Sequence, residues 1–519
     1  MKHTFYLVLF ALLLFTCKDD KTHIVHREEI DEQEDFSPEL RFGKLFERVQ
    51  MEGVFEASSI FSNAIPKAFT KKVMKAYAEK SKNENFNLKD FVNEYFVTEI
   101  DLSLKADEGE ELKQYLNTAI DKMKIKSIAA KGSVIEMSKK SLASRSSNYP
   151  EIDYPESYFN MIGLAAKGDV ELMKDFPKNF VFMLNEYDLI PQKNRSYSLK
   201  QAGPPYLSSM INLLEASEGE RILKFYLGSF FKEYQYWMNG SYELLPGSQK
   251  DHSVKLIDGE LLNRYWSEST KPRIAFYKED RDLVERLGDP KVLREVRAIE
   301  ESTWLESSRW GMSNDNYEGA NITNLIPVDL NALLYNLEKS IARAYTLLNQ
   351  DPKAEFFFDK AEARKKALMK YCWNEAQGYF FDYNYIEQKQ SDIVSVAGIY
   401  PLFVQMVDAK QAKRVTTVLE KELMKNGGVS STNVDTDLFW DAAYGKAAYQ
   451  WIAYKAMKNY KQDVIAKKIK KNWIKTQTRL FEEHRILPEF SKLDSSNPLE
   501  KQSAFATSSA SVLLKFLKE

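Results

Sequence analysis

The feature that most constrains the fold is a helical spacing of apolar residues that runs along almost the whole chain. Segments such as 330–350 and 441–460 carry apolar residues every three or four positions, with lysine and glutamate between them. Proline, glycine and asparagine stops separate these segments. No alternating run of β-branched residues is long enough to predict a sheet. The pattern therefore predicts an all-α protein of ten or more helices.

The domain organisation follows from what separates the helices. No Gly/Ser-rich or Pro-rich linker divides the chain after about residue 39, so residues 39–519 are predicted to form one large domain. A hydrophobic content of 44% is enough for an ample core. The helices could form a solenoid or a ring of helix pairs closed on itself. Because no repeat of fixed period is present, the sequence favours the closed ring, an α/α barrel.

The first residues read as an export signal. Residues 1–17 combine a short basic start with an apolar run that is too short to span a membrane and that ends at Cys17. This segment resembles a bacterial lipoprotein signal, in which Cys17 would carry the lipid, and the alternative is plain secretion with a free cysteine. Residues 18–38 are charged and poor in apolar residues, which predicts a flexible tether. We therefore expect an exported lipoprotein at the outer membrane, on its periplasmic or cell-surface side, with no other membrane contact.

Composition excludes several classes of function. A formal net charge of −2 gives no electrostatic case for nucleic acid. Five histidines and two cysteines show no metal-ligand spacing, and no glycine-rich phosphate loop follows a strand, so no cofactor is expected. Cys372 lies in an apolar helical context, which is typical of an unreactive core thiol.

The junctions between loops and helices carry the chemistry that remains. They are rich in Trp, Tyr, Asp, Glu and Arg. Aromatic ring faces stack on the C–H faces of sugars, while carboxylates and guanidinium groups bind sugar hydroxyls. We therefore expect a monomeric protein with a small saccharide ligand.

A set of motifs resembles one known family. The chain contains, in order, LIPQKNRSYSLKQAGPPYLSSMI, LLNRYW, ESTWLESSRW, IPVDLNALLYNLE, FWDAAYGKAAYQWIA and LFEEHRILPEF. This succession resembles the trehalases, glycoside hydrolase family 37, from about residue 39 to the end. The resemblance implies an (α/α)6 barrel and inverting hydrolysis of the α,α-1,1 linkage of trehalose.

The resemblance also assigns the catalytic positions. Inverting hydrolysis needs an acid and a base whose carboxyl groups lie about 6.5–9.5 Å apart. The family base corresponds to Glu482. The family acid is an aspartate, but the matching residue here is Leu305, which has no proton to give. Glu306 is the first candidate for a substitute acid, although neighbouring residues point in different directions. Glu156 is a second candidate.

The sugar-binding positions implied by the resemblance are partly altered. Glu156 replaces an aspartate, Asn148 an arginine, Ala275 a glutamate and Lys446 a tryptophan. The positions expected to contact a ligand are Glu156, Gln192, Gln201, Arg273, Trp304, Arg309, Trp440, Asp441 and Glu489.

Two functional hypotheses follow from these substitutions. The first is a trehalase-like inverting glycoside hydrolase that acts on trehalose or a related glucoside, with weak or altered activity. The second is a catalytically inactive envelope lipoprotein that binds a saccharide on the same scaffold.

Overall fold

The computed structural model describes residues 37–98, 104–128, 130–144, 151–313, 317–436, 438–494 and 505–519. The predicted signal peptide with Cys17, almost all of the tether and Asn148 lie outside the described residues. The α-helices of the described chain are α1 Pro38–Met51, α2 Ser58–Ser62, α3 Thr70–Lys80, α4 Leu88–Tyr95, α5 Leu112–Lys122, α6 Tyr154–Lys167, α7 Val170–Tyr187, α8 Leu207–Glu218, α9 Arg221–Trp237, α10 Tyr277–Leu287, α11 Val292–Ser302, α12 Val328–Leu347, α13 Asp351–Tyr371, α14 Tyr400–Phe403, α15 Ala409–Val418, α16 Ala447–Asn459, α17 Asp463–His484 and α18 Thr507–Lys518.

Six of these helices form a closed inner ring. In ring order they are α6, α8, α12, α14, α16 and α18, and each packs against the next. The ring closes where α18 packs along α6. The contact there is so close that a Cβ atom added at Gly163 would lie 2.5 Å from Ser511 Oγ. Because the ring helices are covered on all sides, they are apolar around most of their circumference, as in α12 and α16.

Six further helices form an outer layer. They are α5, α7, α9, α13, α15 and α17, and they alternate with the inner helices along the chain. Inner and outer helices pack in pairs, for example α12 against α13 and α16 against α17. The predicted (α/α)6 barrel is therefore confirmed. None of the helices in the described part of the chain is both long and apolar enough to span a membrane.

A second apolar cluster lies before the barrel. The four helices α1–α4 bury Phe42, Phe46, Phe61 and Phe96 together, and the aromatic rings of this group contact each other edge to face or stacked. The cluster packs against Ile274, which lies just before α10, and against Tyr277, the first residue of α10. The first helix of the described residues begins at Pro38, the last residue of the predicted tether.

The strands are too short to leave a pattern in the sequence. Each has two or three residues, and they form small antiparallel sheets at the ends of the helices. The pair β15–β16 matters most for the site, because it places Lys446 opposite Phe490. The strands of the described chain are β1 Ile65–Pro66, β2 Phe96–Val97, β3 Lys124–Ile125, β4 Ser141–Leu142, β5 Ser248–Lys250, β6 Ser253–Lys255, β7 Leu261–Asn263, β8 Leu325–Ile326, β9 Trp373–Asn374, β10 Tyr379–Phe380, β11 Tyr383–Asn384, β12 Lys389–Gln390, β13 Met424–Lys425, β14 Gly428–Val429, β15 Tyr444–Lys446 and β16 Phe490–Lys492.

Candidate active site

A small cavity lies where the inner helices begin. Its volume is about 30 Å³, roughly the share of one water molecule. Ligand sites in proteins usually measure about 300–1,000 Å³. As the described residues are arranged, this cavity is too small for one sugar ring. It is lined by Pro155, Glu156, Phe159, Pro204, Tyr206, Tyr265, Ser302, Thr303, Trp304, Asp329, Leu333, Tyr400, Lys446, Ala448 and Tyr449.

One buried ion cluster occupies a wall of this cavity. The Lys446 ammonium lies 2.6 Å from Glu156 Oε1 and 3.0 Å from Glu489 Oε1. Strand pairing of β15 with β16 brings Lys446 beside Glu489, and Glu156 projects from the first turn of α6. Only 8% of the Lys446 side chain is exposed. Burial alone would lower the pKa of Lys446, but the two carboxylates outweigh it and raise that pKa above its ordinary value.

The charges of this cluster affect a neighbouring carboxylate, that of Asp153. Asp153 is the N-cap of α6 and accepts a hydrogen bond of 3.0 Å from the backbone N–H of Glu156. Burial and the negative charge of Glu156 raise the pKa of Asp153 to about 6. Asp153 is therefore a carboxyl near the cavity whose charge changes close to neutral pH.

This pKa leads to a prediction about stability. An aspartate titrates near pH 3.9 when unfolded, so the folded chain binds more protons than the unfolded chain between about pH 4 and pH 6. The contribution of Asp153 to stability therefore improves as the pH falls through this window. Asp153→Asn keeps an acceptor at the N-cap. We expect this variant to be about 1–2 kcal/mol more stable than the wild type at pH 8. The gain should disappear near pH 4 in urea unfolding, and an equal gain at both pH values would contradict the assignment.

Leu305 follows Trp304, which lines the cavity, and its apolar side chain has apolar neighbours. Its side chain is half-buried and packs against the main core. The next residue, Glu306, accepts a hydrogen bond of 3.1 Å from Trp440 N through its backbone carbonyl. Burial is the main cause that raises the pKa of Tyr317, and the negative charge of Glu306 also raises it, against the opposing effect of Arg273. Glu306 is not among the residues that line the cavity.

Arg309 holds two segments together through buried carboxylates. Its guanidinium donates to Asp329 at 2.8 and 2.9 Å and to Asp382 at 2.7 and 2.9 Å. The group lies between the rings of Trp304 and Trp310, at 4.6 and 4.2 Å from their centroids. Only 1% of the side chain is exposed. Substrate binding by Arg309 stays a prediction, and these contacts favour a role in holding Asp329 at the cavity wall.

Asp441 is likewise committed to neighbouring side chains. Its carboxylate accepts hydrogen bonds from the hydroxyl groups of Ser307, Ser308, Thr432 and Thr436, at 2.7 to 3.2 Å. It also accepts from Ser308 N at 2.9 Å. This carboxylate fastens the segment that follows Leu305 to the loop before α16. These hydrogen bonds fix the backbone conformation of the candidate site.

The two predicted tryptophans lie side by side. Trp304 lines the cavity, stacks on Tyr449 with ring centroids 4.8 Å apart, and donates a 3.2 Å hydrogen bond to the Trp440 carbonyl. The Trp440 ring contacts Phe490 at 4.5 Å. Its Nε1 is buried and has no hydrogen-bond partner among the described residues. Both rings are therefore close to the site, but each is packed against protein.

The remaining predicted residues lie around this centre. The Arg273 guanidinium is buried in an ion pair with Asp280 at 2.8–3.2 Å, and the backbone N–H of Arg273 donates to the same carboxylate at 2.7 Å. Gln201 donates to the Arg297 carbonyl at 2.7 Å. The carbonyl of Gln192 accepts from Tyr154 N at 2.8 Å. None of these three predicted residues lines the cavity formed by the described chain.

Glu482, the predicted base, lies outside the lining of the cavity. It lies in the last turn of α17 with an exposed side chain. The carboxylates that do line the cavity are Glu156 and Asp329. The assignment of Glu482 as base stays a prediction.

Several side chains of the cavity escaped the sequence analysis, among them Asp329, Tyr206 and Tyr400. Asp329 lines the cavity and is fixed by Arg309. The sequence feature that could have indicated it is an aspartate in the first turn of a helix, two residues after a proline. Tyr206 and Tyr400 form a hydroxyl pair 2.8 Å apart at the cavity. No periodicity marks such a pair, because the two residues are 194 positions apart.

The closed ring of six inner helices with its outer layer places the chain in a class of proteins, the (α/α)6 barrels. Neutral trehalase Nth1 from Saccharomyces cerevisiae superposes with a TM-score of 0.59 at 20% identity, covering 73% of this chain and 75% of the other. The GH63 mannosylglycerate hydrolase from Thermus thermophilus in complex with glucose superposes with a TM-score of 0.52 at 12% identity, covering 79% and 100%. At these identities the likeness concerns the fold alone.

The chain belongs to the trehalase family. The sequence model of that family, described as Trehalase, matches residues 47–503. A periplasmic trehalase of Salmonella dublin is 32% identical over 463 residues, which cover 87% of this chain and 80% of the relative. A periplasmic trehalase of Salmonella paratyphi A is 31% identical over 465 residues with the same coverage.

Proposed function

We propose that the protein is a trehalase-family glycoside hydrolase of the cell envelope with weak or altered activity on trehalose or a related glucoside. The observation that carries this proposal is Leu305, an apolar side chain at the family's acid position that packs against the core. A general acid contributes about 10²–10⁴-fold to a rate. Loss of the acid therefore lowers turnover by a similar factor unless another carboxyl group replaces it.

The contacts around the cavity rank the candidate replacements. Glu156 is engaged by the Lys446 ammonium group at 2.6 Å as part of the buried ion cluster. Asp329 accepts hydrogen bonds of 2.9 and 2.8 Å from the Arg309 guanidinium. Glu306 follows Leu305, the residue at the acid position, directly in the chain. For this closeness in sequence it is the substitute acid in this proposal, with Glu482 as base on the family pattern.

Glucose release from trehalose tests this proposal. We expect the wild type to be at least about 10²-fold slower than the Salmonella dublin periplasmic trehalase measured beside it. Glu482→Gln should abolish the residual activity if the base is retained. Leu305→Asp alone should not restore full activity, because Lys446 and the filled cavity remain. Turnover by the wild type equal to that of the relative would refute the proposal.

A second candidate function is supported by Lys446. Lys446 occupies a position at which the family has a tryptophan. The cavity beside its ion cluster measures about 30 Å³. A site filled in this way suits an inactive scaffold that binds a saccharide elsewhere or after rearrangement. Calorimetry with a panel of disaccharides separates the two candidates, since a binder gives heat with a sugar that it does not cleave.

We also propose that the protein is exported and anchored by a lipid on Cys17. The apolar run before Cys17 and the periplasmic designation of the relatives support export. We expect the wild type in the membrane fraction and Cys17→Ser in the soluble or secreted fraction, because one substitution removes the anchoring thiol. Equal partitioning of the two proteins would argue against lipidation.

A further inference from the structure

A second cavity lies at the end of the barrel opposite the candidate active site. It measures about 750 Å³, within the range of ordinary ligand sites. Its walls come from the later turns of α6, α8, α12, α16 and α18, together with the segment that follows α14. The active-site cavity lies at the beginnings of these same helices. The two cavities therefore share the inner ring but have no lining residue in common.

Cationic side chains outnumber carboxylates among the residues that line this opposite cavity. One of them, Arg343, also pairs with Glu220 at 3.0 Å, outside the lining. Five lysine or arginine side chains line the cavity, against two carboxylates, Glu215 and Glu519. Both carboxylates are already used, because Glu215 pairs with Arg343 at 2.5 Å and Glu519 pairs with Lys515 at 3.0 Å. The cavity consequently has more cationic groups than its own carboxylates neutralise.

Two lysines account for the excess. Lys339 and Lys455 have no carboxylate within ion-pair distance among the described residues, whereas Lys458 pairs with Asp463. Burial and the like charges of Arg343 and Lys365 lower the pKa of Lys339, which agrees with a positive potential at that wall.

Helix ends offer a simpler reason for lysines here, because cations stabilise the C-terminal turn of a helix. That reason covers Lys455, which lies near the end of α16. It does not cover Lys339, which lies about two turns before α12 ends at Leu347. The helix dipole acts mainly within the last turn. The Lys339 ammonium contacts the Tyr335 ring at 5.5 Å but has no carboxylate partner among the described residues, so it is available to an anion in the cavity.

The rest of the wall suits a sugar-sized body. The rings of Trp451 and Tyr454 line the cavity and lie 5.8 Å apart. Asn336 and Asn212 add amide groups on the facing helices, with Asn336 held by Ser208 Oγ at 2.9 Å. Aromatic faces beside amide and ammonium groups match a polyhydroxylated ring that carries an anionic group.

We propose that this cavity is a second ligand site, which binds a small sugar bearing a phosphate or carboxylate group through Lys339 and Lys455. The site is separate from the proposed hydrolytic site and does not depend on its activity. A phosphate and a carboxylate share the chemistry that the ammonium groups recognise, so the experiment includes both.

Calorimetry of the full-length protein with glucose 6-phosphate, glucuronate and glucose tests the site. At least one anionic sugar should bind with a Kd below about 1 mM, and glucose should bind at least about tenfold more weakly. Stronger binding of glucose 6-phosphate identifies phosphate as the anion, and stronger binding of glucuronate identifies carboxylate. The affinity should fall as salt is added, since the lysines are partly exposed.

Matched variants keep the test decisive. K339Q/K455Q should weaken the anionic sugar at least about tenfold, while K339R/K455R should retain most of the affinity. K71Q/K72Q, two exposed lysines of α3, is the control for lost charge and should leave the affinity unchanged. Thermal unfolding of each variant verifies that it is folded. The proposal is overturned if neither anionic sugar binds below about 1 mM, if glucose binds equally well, or if K339Q/K455Q binds like the wild type.

Discussion

Replacement of Arg309 by alanine is expected to destabilise the barrel by at least about 3–5 kcal/mol. The substitution leaves Asp329 and Asp382 buried without their cation, and removing one partner of a buried ion pair costs about that much. It also removes the group that lies between Trp304 and Trp310. Since domains are stable by only about 5–15 kcal/mol, we expect a large shift of the urea unfolding midpoint.

The matched control for this prediction is an exposed pair. Arg48 pairs with Glu52 at 2.6 Å while both side chains are more than 40% exposed, and such pairs contribute about 0–1 kcal/mol. Arg48→Ala should therefore change the midpoint little. If Arg309→Ala behaves like Arg48→Ala, Arg309 is not a structural element and its assignment as a sugar-binding residue gains weight.

Replacement of Lys446 by methionine is the second large effect that we expect. Methionine has a similar length but no charge, so Glu156 and Glu489 would lose the ammonium group that both contact. We expect a loss of about 3–5 kcal/mol in the free energy of unfolding, measured with urea at pH 7.

A charge-neutral variant separates electrostatics from packing. The triple variant Lys446→Met, Glu156→Gln and Glu489→Gln removes both negative charges along with the positive one. It should recover most of the stability, because replacing a whole buried ion cluster is often close to neutral. Recovery of less than half of the loss would mean that the shape of Lys446, and not its charge, holds the wall.

The sequence predicted the barrel well because the barrel depends on local patterns. Apolar spacing of three and four residues marks each helix of the inner ring, and the absence of a fixed repeat favoured closure over a solenoid. The short strands escaped, since two or three residues carry no alternation. The pairing of Tyr444–Lys446 with Phe490–Lys492 is nevertheless what brings Lys446 to Glu489.

The site could be predicted only in part, since ion pairs join residues far apart in the chain. Arg309, Trp304 and Asp441 were found near the candidate site, as their residue types suggested. Their partners could not be read from the sequence, because Asp382 lies 73 positions from Arg309, and Ser307 lies 134 positions from Asp441. Lys446 was recognised as a substitution, but its role as the cation of a buried cluster depends on tertiary contacts.

The closure of the ring by α18 on α6 has a consequence for synthesis and export. The Lys518 ammonium donates to the carbonyl of Ala166, 352 positions earlier, at 2.7 Å. The first inner helix therefore lacks one of its two ring neighbours until residues 507–518 have left the ribosome. A chain in that state exposes the apolar flank of α6, which delays stable folding. Such a delay suits the export proposed for this chain, because an unfolded polypeptide can pass through a membrane channel.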